Sequence, residues 1–123
     1  MELHQIAQHA DDLDRATAFY TGLLGGELIA RYDPPGLLFL RLGQARLLLD
    51  RGAPSALMYL RVDDARESIA RLREAGVTID TEPHRPHVDT DGVFGEPGWE
   101  EWMGFIRDSE GNLVGIASRQ PPA

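Results

Sequence analysis

Cysteine and lysine are both absent from the 123-residue sequence. Without cysteine there is no disulfide, no thiolate nucleophile and no thiolate-bound metal, so only His, Asp, Glu and Gln remain as metal ligands. No apolar run approaches the roughly 20 residues that a membrane-spanning helix needs. The opening "MELHQIAQHADD" also lacks the basic and apolar segments of a signal peptide. We therefore expect a cytoplasmic protein without a membrane partner.

Acidic residues outnumber basic ones by 20 to 12, which gives a formal net charge of −8. The arginines are scattered, so no basic patch offsets the repulsion between this chain and a phosphate backbone. Nucleic acid is therefore not an expected partner. The length, with a hydrophobic content of 42%, predicts one soluble domain with its own core.

The first part of the chain predicts a strand, a helix and three further strands. "ELHQIAQHA" has the two-residue period of a strand, and Asp11 and Asp12 then offer N-cap oxygens. Leu13, Ala16 and Tyr20 follow at helical spacing before a glycine pair ends the helix. The segments "ELIARY", "LLFLRL" and "ARLLLD", separated by turn sequences, predict the three strands.

The same order begins again 52 residues later, when Asp11-Asp12 is superposed on Asp63-Asp64. "ALMYLRV" predicts a strand, and a capped helix follows with Ile69 and Leu72 on its inner side. "VTID", "EEWMGFIRD" and "NLVGIAS" predict three more strands. The match extends beyond the aspartates to the preceding strands, which indicates an internal repeat.

We therefore predict an α+β fold of two βαβββ modules, with module 1 at about 2–50, a linker at 51–55 and module 2 at about 56–118. The modules are expected to form a curved mixed sheet around a cleft, with the helices on the outer face and room for a small molecule inside. The stretch 81–99 is rich in Pro, Gly, Asp and His and is longer than ordinary connections. We expect it to be a lid or a disordered loop.

Three segments together resemble a known group of proteins. "DLDRATAFYTGLLGGELI", "GLLFLRLGQARLLLD" and "FIRDSEGNLVGI" look like the vicinal oxygen chelate superfamily, which includes glyoxalase I, methylmalonyl-CoA epimerase, extradiol dioxygenases and antibiotic-resistance binders. The resemblance covers nearly the whole chain, and its most specific part is the helix start combined with the Asp-x-x-Gly-Asn turn. It implies the paired fold above, a small-molecule ligand and a homodimer.

The resemblance also implies four metal-ligand positions, one near the start and one on the last strand of each half. In this chain they fall on Gln5, Leu48, Leu57 and Gly115, and only the first has a metal-binding side chain. One amide oxygen holds a divalent cation weakly, because tight sites need several anionic or imidazole ligands. We therefore expect no metal and no other cofactor, and we expect the other three residues to form an apolar floor.

Four polar residues share the inner face if the two-residue period holds, namely Gln5, His9, Tyr59 and Arg61. His9 could transfer a proton near neutral pH, and Arg61 could receive a carboxylate. Gln5 and Tyr59 could hydrogen-bond a ligand. The alternative is that His9 and Arg61 lie in solvent at strand ends.

Two more histidines, His84 and His87, would meet a ligand if the long loop folds over the cleft. Their spacing suits a shared site only in a turn or helix, because an extended strand would point them in opposite directions. With Asp89 and either Gln5 or Glu101 they could form an unorthodox metal site. A solvated loop is the alternative.

The strand "EEWMGFIRD" is expected to form a wall of the cleft. Alternation places Trp102 and Gly104 on one face and Met103 and Phe105 on the other, without indicating which face looks inward. We expect Trp102 to be a surface on which a ligand stacks.

The sequence therefore favours a protein that binds a small, partly apolar organic ligand. Whether it also catalyses a proton shift stays open. One alternative is a metal-dependent lyase or epimerase of the glyoxalase I or methylmalonyl-CoA epimerase kind. The other is a non-catalytic scaffold protein.

Overall fold

A computed structural model describes all 123 residues as eight strands and two helices. The elements are, in chain order, β1 (Ile6–His9), α1 (Leu13–Gly22), β2 (Glu27–Tyr32), β3 (Leu37–Leu42), β4 (Ala45–Asp50), β5 (Met58–Arg61), α2 (Ala65–Glu74), β6 (Ile79–Asp89), β7 (Trp99–Arg107) and β8 (Leu113–Gln120). This order confirms the predicted α+β class and the two βαβββ repeats. Neither helix is long and apolar enough to cross a membrane.

The two repeats keep the same offset through the strand and helix that open them. Helix α1 begins at Leu13 and α2 begins at Ala65, 52 positions later, and both helices have ten residues. Asp12 and Asp64 cap them: the Asp12 carboxylate accepts the backbone N–H of Arg15, and the Asp64 carboxylate accepts those of Arg66 and Glu67. The capping residues predicted from the sequence therefore set both helix starts.

The chain divides into two compact units, each with one four-stranded mixed sheet. The first unit comprises residues 1–56 and 108–112, and the second comprises 57–107 and 113–123. The strand order is β1-β4-β3-β2 in the first sheet and β5-β8-β7-β6 in the second. In each sheet the first pair is parallel and the other pairs are antiparallel.

In the first unit, the turn 108–112 is bound to the start of α1. The Glu110 carboxylate accepts the N–H groups of Asp11 and Asp12, both at 2.9 Å, and receives two bonds from the Arg15 guanidinium. Buried Tyr20 donates its hydroxyl to Asp108 Oδ2 at 2.6 Å, and burial together with this carboxylate raises the pKa of the phenol. The helix start and the Asp-x-x-Gly-Asn turn therefore form one structural motif.

In the second unit, α2 packs on one face of its sheet. A Cβ on Gly104 would collide with Ile69 Cδ1 and would lie 2.9 Å from the Thr81 carbonyl oxygen, so glycine is what lets the helix approach β7 closely. Ser118 accepts the N–H of Ala65 at 2.8 Å. The guanidinium of α2 residue Arg66 lies 4.2 Å from the centre of the Trp102 ring.

The stretch 81–99 differs from the sequence prediction. Strand β6 continues to Asp89, so the irregular part spans only residues 90–98. Pro83 and Pro86 are compatible with a strand here, because β6 lies at the edge of its sheet and pairs on one side only. Three register shifts against β7 accommodate the extra residues of β6.

Candidate functional site

The second unit contains a hollow of about 560 Å³. Trp102 and Gly104 of β7 contact α2, so the alternate residues of that strand face away from the helix. The hollow lies on this helix-free face of the sheet. It is lined by Tyr59, Arg61, Pro86, His87, Phe94, Glu101, Met103, Ala117, Ser118 and Arg119.

The hollow follows from the side-chain sizes on three neighbouring strands. Strand β8 runs between β5 and β7, and on the helix-free face it carries Gly115 and Ala117. Large side chains lie directly opposite Ala117 on both sides, with Arg61 on β5 and Met103 on β7. Because paired residues point to the same face, a small residue between two large ones leaves a trough along β8.

One end of the trough is closed by an aromatic pair. The side chain of Tyr59 covers Gly115, and its ring meets that of Phe105 edge to face at a centroid distance of 5.7 Å. Such a pair is stabilising beyond its buried area, by about 1 kcal/mol. Tyr59 is 52% exposed, which leaves much of its ring surface accessible to a ligand.

The opposite end is closed by a charged cluster around Arg119. Its guanidinium donates to Glu101 across the β7–β8 pair, to Asp89 Oδ2 at 3.1 Å and to the Glu96 carbonyl oxygen at 3.0 Å. Asp89 is only 1% exposed. Burial alone would raise the pKa of Asp89, but the N–H groups of Phe94 and Val93 and the Arg119 charge together lower it.

The same buried carboxylate shapes the 90–98 loop. Asp89 accepts the N–H groups of Val93 at 2.8 Å and Phe94 at 2.9 Å through its side chain. Its carbonyl oxygen accepts the N–H of Gly98 at 2.7 Å. The loop is therefore ordered by its own hydrogen bonds, and it presents Phe94, which is 71% exposed, at the rim of the hollow.

Three of the residues predicted to bind a ligand line this hollow, namely Tyr59, Arg61 and His87. His84 and His87 pair with Met103 and Glu101, two residues of the same face, because a register shift separates the two histidines. His84 nevertheless lies outside the hollow, with Nδ1 3.1 Å from the Glu82 carbonyl oxygen.

Three other predicted residues belong to the second unit but lie elsewhere. Leu57 precedes β5 and is 51% exposed, and Gly115 lies beneath the Tyr59 side chain. Trp102 points to α2, where its indole N–H donates to Glu100 Oε1 at 2.9 Å. The hydrogen bonds from Trp102 and Arg85 lower the pKa of Glu100. The floor of the hollow is therefore Ala117, and its aromatic surfaces are Tyr59 and Phe94.

The remaining predicted residues belong to the first unit. Gln5 accepts a hydrogen bond at 3.0 Å from Arg46, and Leu48 is buried between Ala7 and Phe39 in its sheet. His9 donates from Nε2 to Asp11 at 2.8 Å, and this hydrogen bond raises the pKa of its imidazole.

The residues at the four implied metal-ligand positions do not fit a divalent cation. The Gln5 oxygen already accepts from the Arg46 guanidinium, and the other three positions carry no donor atom. No cluster of three or more His, Cys, Asp or Glu side chains is arranged to hold a metal ion anywhere in the chain. Tight binding needs several such ligands together.

Several lining residues were not predicted from the sequence as ligand contacts. No local pattern within 81–99 distinguishes Phe94 from its neighbours, and alternation along β7 does not indicate which face of the sheet carries Met103. The position of Ala117 can be inferred from a sequence pattern: "VGIAS" places a glycine and an alanine two positions apart, on one face of a strand. Small residues at that spacing in a central strand indicate a depression in the sheet.

Comparison with known families gives a match over most of the chain. The family model of the Glyoxalase/Bleomycin resistance protein/Dioxygenase superfamily matches residues 2–116. Among curated proteins, none matches.

Solved structures of similar fold cover almost all of the chain. A lactoylglutathione lyase from Agrobacterium tumefaciens is 26% identical, with a TM-score of 0.69 over 95% of this chain and 92% of the other. A superfamily member from Sphaerobacter thermophilus is 21% identical, with a TM-score of 0.71 over 96% and 97%. The fosfomycin resistance protein FosX from Listeria monocytogenes is 18% identical, with a TM-score of 0.68 over 96% and 93%. The last two likenesses concern the fold alone.

Proposed function

The chain belongs to the Glyoxalase/Bleomycin resistance protein/Dioxygenase superfamily, and from this premise we propose that it binds a small, partly apolar organic ligand in the hollow of its second unit. The observation that carries this proposal is the trough along β8. Its floor is the methyl group of Ala117, and Met103, Tyr59 and Phe94 supply apolar surface around it. Concave sites of this size, lined by apolar groups with a few polar ones, are typical of small-molecule binding.

We further propose that binding needs no divalent metal. Leu48, Leu57 and Gly115 supply no ligand atom, and the amide oxygen of Gln5 is held by Arg46. The metal-dependent alternative, a lyase or epimerase, requires a cluster of acids and histidines elsewhere. Elemental analysis after exhaustive dialysis separates the two: less than about 0.1 equivalent of Zn, Ni, Co, Mn or Fe is expected, and one equivalent per chain would contradict the proposal.

Ligand binding is tested with a neutral apolar probe and a variant that fills the trough. We expect 1-naphthamide to raise the melting temperature of the protein, because a ligand that binds only the folded state stabilises it. Ala117→Leu places a larger side chain on the floor and should abolish that shift. Ala70→Leu, the same substitution on the exposed side of α2, is the matched control and should keep it.

Two results would contradict ligand binding at this hollow. No shift with the wild-type protein, over a panel of neutral aromatic and aliphatic amides, would favour the scaffold alternative. An equal shift for Ala117→Leu and the wild type would place the ligand elsewhere.

We also propose a homodimer in the cytoplasm. The support for association is the edge strand β2, where Leu28, Ile29 and Tyr32 are 49%, 47% and 55% exposed. Exposed apolar side chains on a sheet edge favour association with another chain. Sedimentation equilibrium should give twice the chain mass, and Ile29→Glu should shift it towards the monomer. The cytoplasmic location stays a prediction.

A further inference from the structure

The hollow contains two arginines that differ in what they contact. Arg119 is 16% exposed in its side chain and binds Asp89, Glu101 and the Glu96 carbonyl oxygen. Arg61 is exposed on the wall of the hollow, and its guanidinium takes part in none of the hydrogen bonds or ion pairs of the chain. Arg119 therefore closes one end of the trough, whereas Arg61 has its donors available for a ligand.

We propose that the ligand is an organic carboxylate with a compact apolar body, and that Arg61 receives the carboxylate. This inference rests on the proposed function, because it names the class of molecule that occupies the same hollow. The planar fork of a guanidinium matches the two oxygens of a carboxylate and forms a bidentate, charge-assisted pair with it.

The geometry of the sheet sets the size of the apolar body. Arg61, Ala117 and Met103 lie side by side on β5, β8 and β7. Neighbouring strands are about 4.8 Å apart, so the Cα atoms of Arg61 and Met103 are separated by about 10 Å. One or two fused six-membered rings fit this span, with the acid at Arg61 and the rings above the Ala117 methyl group.

The other charged groups in the hollow do not favour a cationic ligand. Glu101 is paired with Arg119. Asp89 is buried and is satisfied by two backbone N–H groups and by Arg119. His87 also lines the hollow; it is exposed and lies opposite Glu101 on the edge strand.

The net charge of the chain does not itself favour an anionic ligand over a neutral one. At −8, the protein has no general attraction for anions. An anion that binds more tightly than a neutral molecule of the same shape must therefore meet a local cation.

The experiment compares 1-naphthoate with 1-naphthamide, which share the ring system and differ in charge. We expect isothermal titration calorimetry of the wild-type protein to give a dissociation constant about tenfold lower for the acid, as charge-assisted hydrogen bonds to one guanidinium allow. Arg61→Gln should bring the two dissociation constants within about twofold of each other, mainly by weakening the acid. Arg61→Lys should keep part of the preference, because it retains the charge but not the fork.

Arg41→Gln is the control for net charge. Arg41 is exposed on β3 of the first unit and pairs with Glu27, so its loss changes the charge equally. The preference for the acid should survive in this variant. Its loss in both Gln variants would overturn the inference.

The outcomes separate the inference from the proposed function. Equal binding of acid and amide by the wild type would overturn carboxylate recognition and leave small-molecule binding intact. Binding of neither probe would overturn both. A tenfold preference that persists in folded Arg61→Gln, as judged by circular dichroism, would also overturn the role of Arg61.

Discussion

Tyr59 covers Gly115 so closely that a Cβ on residue 115 would lie 2.5 Å from the Tyr59 Cδ2 atom. The two residues are register partners on β5 and β8, and the same tyrosine ring packs edge to face on Phe105. Glycine at this position therefore fixes where the aromatic end of the hollow lies.

Gly115→Ala should displace the Tyr59 ring and lower the affinity for 1-naphthamide by about fivefold or more, because the aromatic wall moves away from its pair with Phe105. Calorimetric titration measures this change. Gly22→Ala is the matched control, since a Cβ there meets no atom within 4 Å, and it should leave the affinity unchanged. An unchanged affinity in Gly115→Ala would show that Tyr59 does not contact the ligand.

Gly104→Ala should lower the free energy of unfolding by about 2 kcal/mol, because the new methyl group collides with Ile69 Cδ1 in a packed interface. Urea denaturation measures the loss. Ile69→Val removes the colliding atom, so the double variant should lose less than the sum of the single losses, by about 0.5 kcal/mol or more. Strict additivity would mean that the helix moves as a whole.

Substitutions at two neighbouring residues of β7 should have different effects, one on ligand affinity and the other on the free energy of unfolding. Met103→Ala should weaken 1-naphthamide binding, because Met103 lines the hollow. Trp102→Ala should leave the affinity unchanged and lower the free energy of unfolding by about 1–2 kcal/mol, because it removes the contact with Arg66 and the bond to Glu100. A loss of affinity in Trp102→Ala would show that Trp102 does contact the ligand.

The Glu110 carboxylate should make part of the free energy of unfolding depend on pH. Hydrogen bonds from Arg15 and from the N–H groups of Asp12 and Asp11 lower its pKa to about 2, from an ordinary value of 4.5. Because the folded pKa is the lower one, this stabilisation is present above pH 4.5 and is lost as the pH falls towards 2. The difference in free energy of unfolding between the wild type and Glu110→Gln should be about 2 kcal/mol at pH 6 and should shrink towards pH 2. A difference independent of pH would contradict the role of the charge.

The elements of the fold could be predicted from local patterns. Alternation, capping aspartates and glycine stops depend on neighbours in sequence, and these located both helices and most strands. The segment "VTID" predicts only the start of β6, and its continuation to Asp89 is not predicted, because Pro83 and Pro86 argue against a strand unless its place at the sheet edge is known. That place depends on pairing between distant segments.

The candidate site could be predicted only in part, for the same reason. The face of β7 that carries Met103 is set by the side on which α2 packs, which no local pattern gives. The sequence did predict Tyr59 and Arg61 together, because their alternation on β5 is local. It placed Trp102 at a ligand, whereas in the structure that side chain packs against Arg66 of the helix.

The two repeats also differ in the size of the side chains on their equivalent middle strands, and this difference separates ligand preference from the scaffold of the fold. In the first sheet the middle strand carries Leu48 between Ala7 and Phe39, whereas the second has Gly115 between two aromatic residues. The same arrangement of strands therefore carries a large aliphatic side chain on the middle strand of one sheet and no side chain at the equivalent position of the other. Substitutions at residues 61, 103 and 117 should change the ligand preference of the hollow without altering the helices that pack on the sheets.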